Sequence, residues 1–422
     1  MSRTEFTQVG KVARELEQCM KCGFCAYVCP VYQEEKTEAS LARGKNELVK
    51  LLVSGELEIN RELADRLYKC TGCMTCTANC PARAEIPRIV VAARADLAGE
   101  MGMRFPYGLI YRQVLAKRGV MGLALAAASR LQGVLMPRTS GTLRHMPDFL
   151  SAFGKGRRIP SVARKFLRRQ LPEVTAAAGR RTLRVGYFSG CMNEFVSPEV
   201  GRRTVELLAR RGVEVVFPRV QGCCGAAVFL GAGDFETARK MADRNAAAFE
   251  GLDYVVTDCA TCACALTEYA HFLADTPERE EAYARFSGKV RHVASFLVDV
   301  LEAADFRAPA LFDGKKVTWH DPCHLNRHLG VREQPRRILE SLGGVRYVEM
   351  PEADRCCGMG GQFNLLHYEL SMKIAKRKSE NIEAADADVV VTACPGCQLQ
   401  LADSASRLEK PQRVVSLMDV IE

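Results

Sequence analysis

The chain has little to offer a membrane or an export pathway. Residues 1–11 hold no apolar core of the kind a secretory leader needs, so export is not expected. No uncharged apolar run reaches spanning length; the best stretch, 119–136, is interrupted by Arg130 and rich in alanine. A dinucleotide fingerprint is also missing, because Gly231-Ala232-Gly233 lacks both a preceding strand and a third glycine. Basic residues are not interleaved with aromatics in any recognition motif, which argues against nucleic acid. Tryptophan occurs once, at Trp319, expected in a core. Cysteine, by contrast, is abundant. Nineteen in 422 residues is an odd number, and with no leader it does not suit a secreted disulfide scaffold. The cysteines are expected to be metal ligands in a reducing compartment, the cytoplasm.

Eight of them form two copies of one spacing, C-x2-C-x2-C-x3-C-P: Cys19, Cys22, Cys25, Cys29-Pro30 and Cys70, Cys73, Cys76, Cys80-Pro81. This is the bacterial ligand run for a pair of [4Fe–4S] clusters, in which the fourth cysteine of each run serves the other cluster. The expected sets are therefore Cys19, Cys22, Cys25 and Cys80 for one cluster, and Cys70, Cys73, Cys76 and Cys29 for the second. Two structural zinc sites are the alternative, although zinc has no use for a proline-terminated run of four. Apolar spacing predicts helices over 4–20, 40–54 and 59–68, so residues 1–100 read as a helical ferredoxin module.

Residues 101–181 form a connector with several prolines and a concentrated charge. Between 101 and 180 stand 15 Lys/Arg against only Asp148 and Glu173, a local balance of +13 in a chain whose net charge is +9. Such a segment is expected to meet something negative, a partner protein or anionic lipid, unless it is simply a solvated link.

From 182 onward short β-branched runs end in cysteine and alternate with helix-length stretches. Cys191, Cys223-Cys224, Cys259 and Cys262 recur as Cys323, Cys356-Cys357, Cys394 and Cys397, displaced by 132 to 135 residues. A near-constant displacement implies an internal duplication. The pattern predicts two parallel α/β domains, 182–308 and 309–422, with cysteines at the carboxyl ends of strands, where ligand sites sit in open sheets. Each half supplies five thiols: Cys191, Cys223, Cys224, Cys259 and Cys262, then Cys323, Cys356, Cys357, Cys394 and Cys397. Vicinal cysteines suit a multi-iron cluster better than one tetrahedral ion, and the following glycine lets backbone N–H groups approach sulfides. Asn193, Ala226 and 358–361 are candidates for such neighbouring roles. A vicinal redox disulfide is the alternative use of the pair.

This signature resembles the cysteine-rich CCG domain of heterodisulfide reductase subunits and of iron–sulfur subunits of flavin-linked dehydrogenases. The whole order, a helical two-cluster ferredoxin followed by two CCG domains, resembles the iron–sulfur subunit of bacterial glycolate oxidase and its lactate dehydrogenase relatives. The resemblance covers about 1–100 and 183–422. It implies an α+β multidomain chain with two [4Fe–4S] clusters in the ferredoxin and one or two further clusters, cubane or noncubane, in the CCG domains. It also implies an FAD-containing partner that oxidises lactate or glycolate, with this chain binding no flavin itself. Electrons would pass to a quinone or to a soluble acceptor such as an electron-transfer flavoprotein. Peripheral contact with the inner face of the membrane through 101–180 goes with that reading. Both final C-x2-C pairs are complete here, as in heterodisulfide reductase, which implies a rival role in reducing disulfides at CCG-bound clusters. A glycerol-3-phosphate dehydrogenase subunit is a third relative of the same layout.

Two further features invite interpretation. His320, His324 and His328 share one helical face in principle, but Pro322 interrupts a helix there, so packing or support of neighbouring ligands is expected. Cys264 falls outside both fivefold sets and is expected to act as a small buried hydrophobe.

Overall fold

In a computed structural model of the chain, residues 6–135, 142–143, 157–181 and 183–422 are described. The amino-terminal module is helical. The helix expected over 4–20 appears as two short ones, Thr7–Lys11 and Ala13–Glu17, broken at Val12. Ala42–Ser54 stops at Gly55, and Arg61–Tyr68 starts at Asn60, whose side chain accepts from Leu63 N at 2.9 Å. All pack on Ile86–Met101, a helix buried from Ile86 through Ala98 except at Arg88, because apolar residues cover nearly its whole circumference. Two buried ions on that helix tie the module together. Asp96 accepts from Gln8 N and Val9 N at 3.0 and 2.9 Å, filling orphan donors at the first helix. Arg94 donates to Leu67 O, Cys70 O and, across the module boundary, Leu230 O.

Two α/β lobes follow. In the first, β1 (Val174–Thr175), β2 (Leu183–Tyr187), β3 (Val213–Val216), β4 (Tyr254–Thr257) and β5 (Val290–His292) lie in the order β1-β3-β2-β4-β5. All pairs are parallel except β1 with β3, so residues before 182 contribute an edge strand to this sheet. In the second, β6 (Lys316–Trp319), β7 (Arg346–Val348), β8 (Val389–Thr392) and β9 (Arg413–Ser416) form an all-parallel sheet in the order β7-β6-β8-β9. Apart from its edge strand the first sheet has the same order. Strands read as continuous β-branched runs because helices cover both faces. Trp319 is fully buried and its Nε1 donates to Asp321 at 2.6 Å. One apolar core runs from Val185 and Tyr187 in the first lobe to Val317 and Val391 in the second.

Among the described residues, the connector's apolar side chains form one small cluster that closes against the first lobe. Arg118–Leu135 packs through Met121 on Phe166 and Phe195. Several basic residues pair with acids of the first lobe: exposed Arg112 reaches buried Asp234 at 2.7 Å, and Arg118 and Arg168 turn inward to buried Glu194 at 3.0 and 2.8 Å. Two arginines of this strap thus neutralise one buried carboxylate of the first lobe, which ties the strap down more firmly than a solvated link. Arg138, Arg144 and Lys155 lie outside the described residues. Among the described residues no helix is long and apolar enough to cross a membrane. The Gly231-Ala232-Gly233 segment serves packing: Gly233 has φ +80°, and a Cβ there would sit 2.3 Å from Arg94 O.

Candidate metal centres

None of the nineteen cysteines is in a disulfide. Those of the ferredoxin module line two adjoining cavities. One is bordered by Cys19, Cys22, Cys25 and Cys80, the other by Cys29, Cys70 and Cys73, and Cys76 borders both. The crossing of the fourth cysteines follows from the helices Cys25–Val28 and Pro30–Glu35, which carry Cys29 away from its own run. Burial pushes the Cys29 thiol up to about 11, against the pull of the Lys45 ammonium. Lys45 is 2 % exposed and donates to Ser40 O beside this second cavity. Around the first cavity the surface is open and apolar: Cys22 is exposed, with Met20, Phe24 and Tyr27 nearby and exposed as well.

All ten cysteines of the two lobes line one cavity of about 270 Å³, together with Cys70, Thr71 and Gly72 of the ferredoxin module. The fold accounts for this. Cys259 and Cys394 sit two residues past the ends of β4 and β8, cap the helices Ala260–Thr267 and Pro395–Ala405, and face one another because Ala260 N donates to Ala393 O at 2.9 Å. Thiol neighbours then form a line. Cys73 of the ferredoxin interacts with Cys356, Cys357 lies 3.4 Å from Cys397, Cys394 interacts with Cys259, Cys262 with Cys224, and Cys223 with Cys191. The Cys397 thiol, with His320 beside it, holds Cys357 down to about 5.

Iron–sulfur clusters fit these donors. The sets consist of soft thiols, and both CCG glycines have positive φ, +79° at Gly225 and +90° at Gly358. A Cβ at Gly358 would meet Ser371 O at 2.5 Å, so only glycine allows the chain to pass there. Among the candidate supporting residues, Asn193 instead donates to buried Asp258, which also accepts from Tyr187 and Thr204 at 2.8 Å. Burial raises that carboxyl to about 6. The three histidines separate into two places. His320 is 1 % exposed, has no hydrogen bond at either ring nitrogen among the described residues, and groups with Cys357 and Cys397 within 4.8 Å. His324 and His328 do share a face, on a wide turn that begins just after Pro322 and Cys323. Proline therefore precedes that turn and does not break it. Sequence reading missed Lys45 and Lys378. Lys378 is fully buried, donates to Glu352 O and Ala353 O, and is lowered by burial to about 8. An isolated lysine within an amphipathic helix carries no signal of this kind.

Comparison with known proteins agrees with the layout. A 4Fe-4S dicluster domain matches residues 15–84, and a cysteine-rich domain matches 185–267 and 317–402. A probable glycolate oxidase iron–sulfur subunit of Bacillus subtilis (strain 168) is 34 % identical, covering 96 % of this chain and 93 % of its own length. Lactate utilization protein A of Geobacillus kaustophilus (strain HTA426) is 37 % identical over 57 % of this chain and 98 % of its own. A subunit of the CoM/CoB fumarate reductase of Methanothermobacter marburgensis is 28 % identical over 93 % of this chain and 69 % of its own. With near-complete coverage by the Bacillus protein, the chain belongs to the family of glycolate oxidase iron–sulfur subunits.

Proposed function

We propose that this chain is the iron–sulfur electron-transfer subunit of a flavin-dependent 2-hydroxy-acid dehydrogenase, with lactate or glycolate oxidised on an FAD-containing partner. The acceptor is a quinone or a soluble carrier such as an electron-transfer flavoprotein. Cys19, Cys22, Cys25 and Cys80 hold one [4Fe–4S] cluster, and Cys70, Cys73, Cys76 and Cys29 hold the second. The sets Cys191/Cys223/Cys224/Cys259/Cys262 and Cys323/Cys356/Cys357/Cys394/Cys397, the products of an internal duplication, hold further clusters. When bound, the clusters supply one-electron carriage; the chain supplies thiolates, burial and nearby charge that set their potentials. The observation that carries this reading is the unbroken line of thiols from Cys73 through Cys356 to Cys191. It gives the ferredoxin module a direct neighbour in the second lobe.

The exposed ring of Met20, Phe24 and Tyr27 around Cys22 suits a docking redox partner. Exposed Phe105, Leu109, Leu123 and Leu131 on the basic strap support a peripheral contact with an anionic membrane. Flotation with anionic vesicles at low but not high ionic strength is the expected result; equal binding at both removes this contact.

The test of function is anaerobic. Lactate or glycolate should bleach the iron–sulfur absorbance only when the flavoprotein partner is present. A second reading has one observation in its favour, the single cavity shared by all ten CCG cysteines. It makes the lobes a disulfide-reducing site. Reoxidation of the dithionite-reduced chain by a thiol disulfide, with no partner, would select it.

A further inference from the structure

The nineteenth cysteine is not alone. Helix Ala260–Thr267 of the first lobe packs on the wide turn His324–His328 of the second, and this brings three ligand types together. Cys264 Sγ, one nitrogen of His324 and one of His328 all lie within 4.8 Å of one another. Cys264 is fully buried, and the two imidazole rings are 5.0 Å apart.

The remaining contacts orient both rings. His328 Nε2 lies 3.1 Å from Gly72 O, an atom that can only accept, so the proton sits on Nε2 and the lone pair on Nδ1. His324 Nδ1 lies 2.9 Å from Thr261 Oγ1, which is itself 3.2 Å from Cys394 Sγ. If the hydroxyl donates to that sulfur, its oxygen accepts from Nδ1–H and the lone pair of His324 is left on Nε2. Fixing the outer nitrogen by a carbonyl or hydroxyl is how proteins prepare histidine for a metal. A second observation points the same way. Glu268 lies one helical turn beyond Cys264, 9 % exposed; its Oε1 pairs with Arg88 at 3.0 Å while Oε2 is buried without a partner among the described residues. It lines the same cavity as His324 and His328. A half-satisfied buried carboxylate beside a thiol and two imidazole nitrogens is a set of donors that a cation would satisfy.

We propose that Cys264, His324 and His328 bind a single Zn²⁺, with Glu268 or a water in the fourth position. One sulfur and two imidazoles in a tetrahedral set are a borderline-soft site that favours zinc over calcium or magnesium. Binding releases the Cys264 proton to solvent, and no electron is exchanged. The ion pins the first lobe to the second, and through Gly72 it rests against the ferredoxin module. It borders the cavity of the lobe cysteines but shares no ligand with the eighteen thiols of the iron–sulfur sets.

The test uses the full chain with its clusters, prepared without oxygen, and reads zinc directly. About one zinc per chain is expected alongside iron, and zinc-edge X-ray absorption should show one sulfur at about 2.3 Å with three N/O ligands at about 2.0–2.1 Å. Cys264→Ala and His328→Gln should each lower zinc at least tenfold while iron content and the EPR of the reduced clusters stay unchanged. The glutamine retains a donor for Gly72 O, so it separates metal loss from loss of packing. Absence of zinc, an all-sulfur shell, zinc retained in both variants, or iron falling with zinc in both overturns the proposal.

Discussion

The two lobes share a frame but surround their cysteines differently. Phe188 N donates to Val256 O at 2.8 Å in the first lobe, and His320 N donates to Val391 O at 2.9 Å in the second, so Phe188 and His320 occupy the same place. The residue before the vicinal pair is Gly222 in one and Arg355 in the other. Twenty-two residues after the pair's first cysteine stand Asn245 and Lys378, both fully buried. Before Cys259 stands the buried acid Asp258; before Cys394 stands Ala393. At the last three of these positions the second lobe is more positive or less negative, although buried Asp321 stands in it where the first lobe has Ser189. Positive charge and donors near the sulfurs favour a reduced cluster. The lobe that touches Cys73 therefore carries the more basic set at these three positions, and a shared fold has not meant a shared electrostatic environment.

The largest effect expected from this asymmetry is topological. Cys356→Ser with Cys357→Ser should stop reduction of the first lobe through the ferredoxin module, because it removes the thiols between them. Cys223→Ser with Cys224→Ser should leave the second lobe reducible. Freeze-quench EPR after mixing with reduced partner separates the two outcomes, and equal behaviour of the pairs would end the comparison. A smaller shift follows from exchanging single residues. His320→Phe, the residue of the first lobe, removes a donor beside Cys357 and Cys397. Once the ring donates to a cluster-bound sulfur, a hydrogen bond to a charged group is worth about 1.5–3 kcal/mol, or about 65–130 mV for one electron, so the second-lobe potential should fall by that order. A redox titration monitored by EPR reads it. No fall would mean that the His320 ring does not address the cluster.

Much of this was legible in the sequence, for a physical reason. Cysteine spacing is dictated by cluster geometry, and the short apolar runs before each cysteine are what a doubly covered parallel strand requires. The dicluster module, the two cysteine-rich regions and their parallel strands all stand where these patterns put them. What was not legible depends on contacts between distant segments. Arg94, Lys45 and Lys378 look like ordinary surface cations until packing buries them. The basic surplus of the connector reads as a surface, yet Arg112, Arg118 and Arg168 pair with buried acids that stand beyond their own stretch of chain. Pro322 reads as a helix breaker, and it is instead the step before the turn that aligns His324 with His328. Sequence distance hides the charges whose partners are supplied by another module.

The smallest effect lies at the far edge of each sheet. Register places His292 opposite Thr257 and Ser416 opposite Thr392, so the two residues are counterparts. Both cap the turn that follows: His292 Nδ1 accepts from Ala294 N at 3.1 Å, and Ser416 Oγ accepts from Met418 N at 3.3 Å. Serine has no charge to gain, whereas histidine does. Burial lowers His292 from an ordinary value near 6.5 to about 4. The unfolded chain therefore binds a proton that the folded chain refuses between those values. The stability tied to neutral His292 is complete above about pH 6.5 and is lost as pH falls towards 4. By pH 5.5 the loss is about 1.4 kcal/mol. His292→Ser, which installs the second lobe's residue, should flatten this part of the acid limb in denaturant titrations of the cluster-loaded chain at pH 7.5 and 5.5. An unchanged slope would show that His292 is protonated in the folded state and that the two caps do not differ in the way their burial implies.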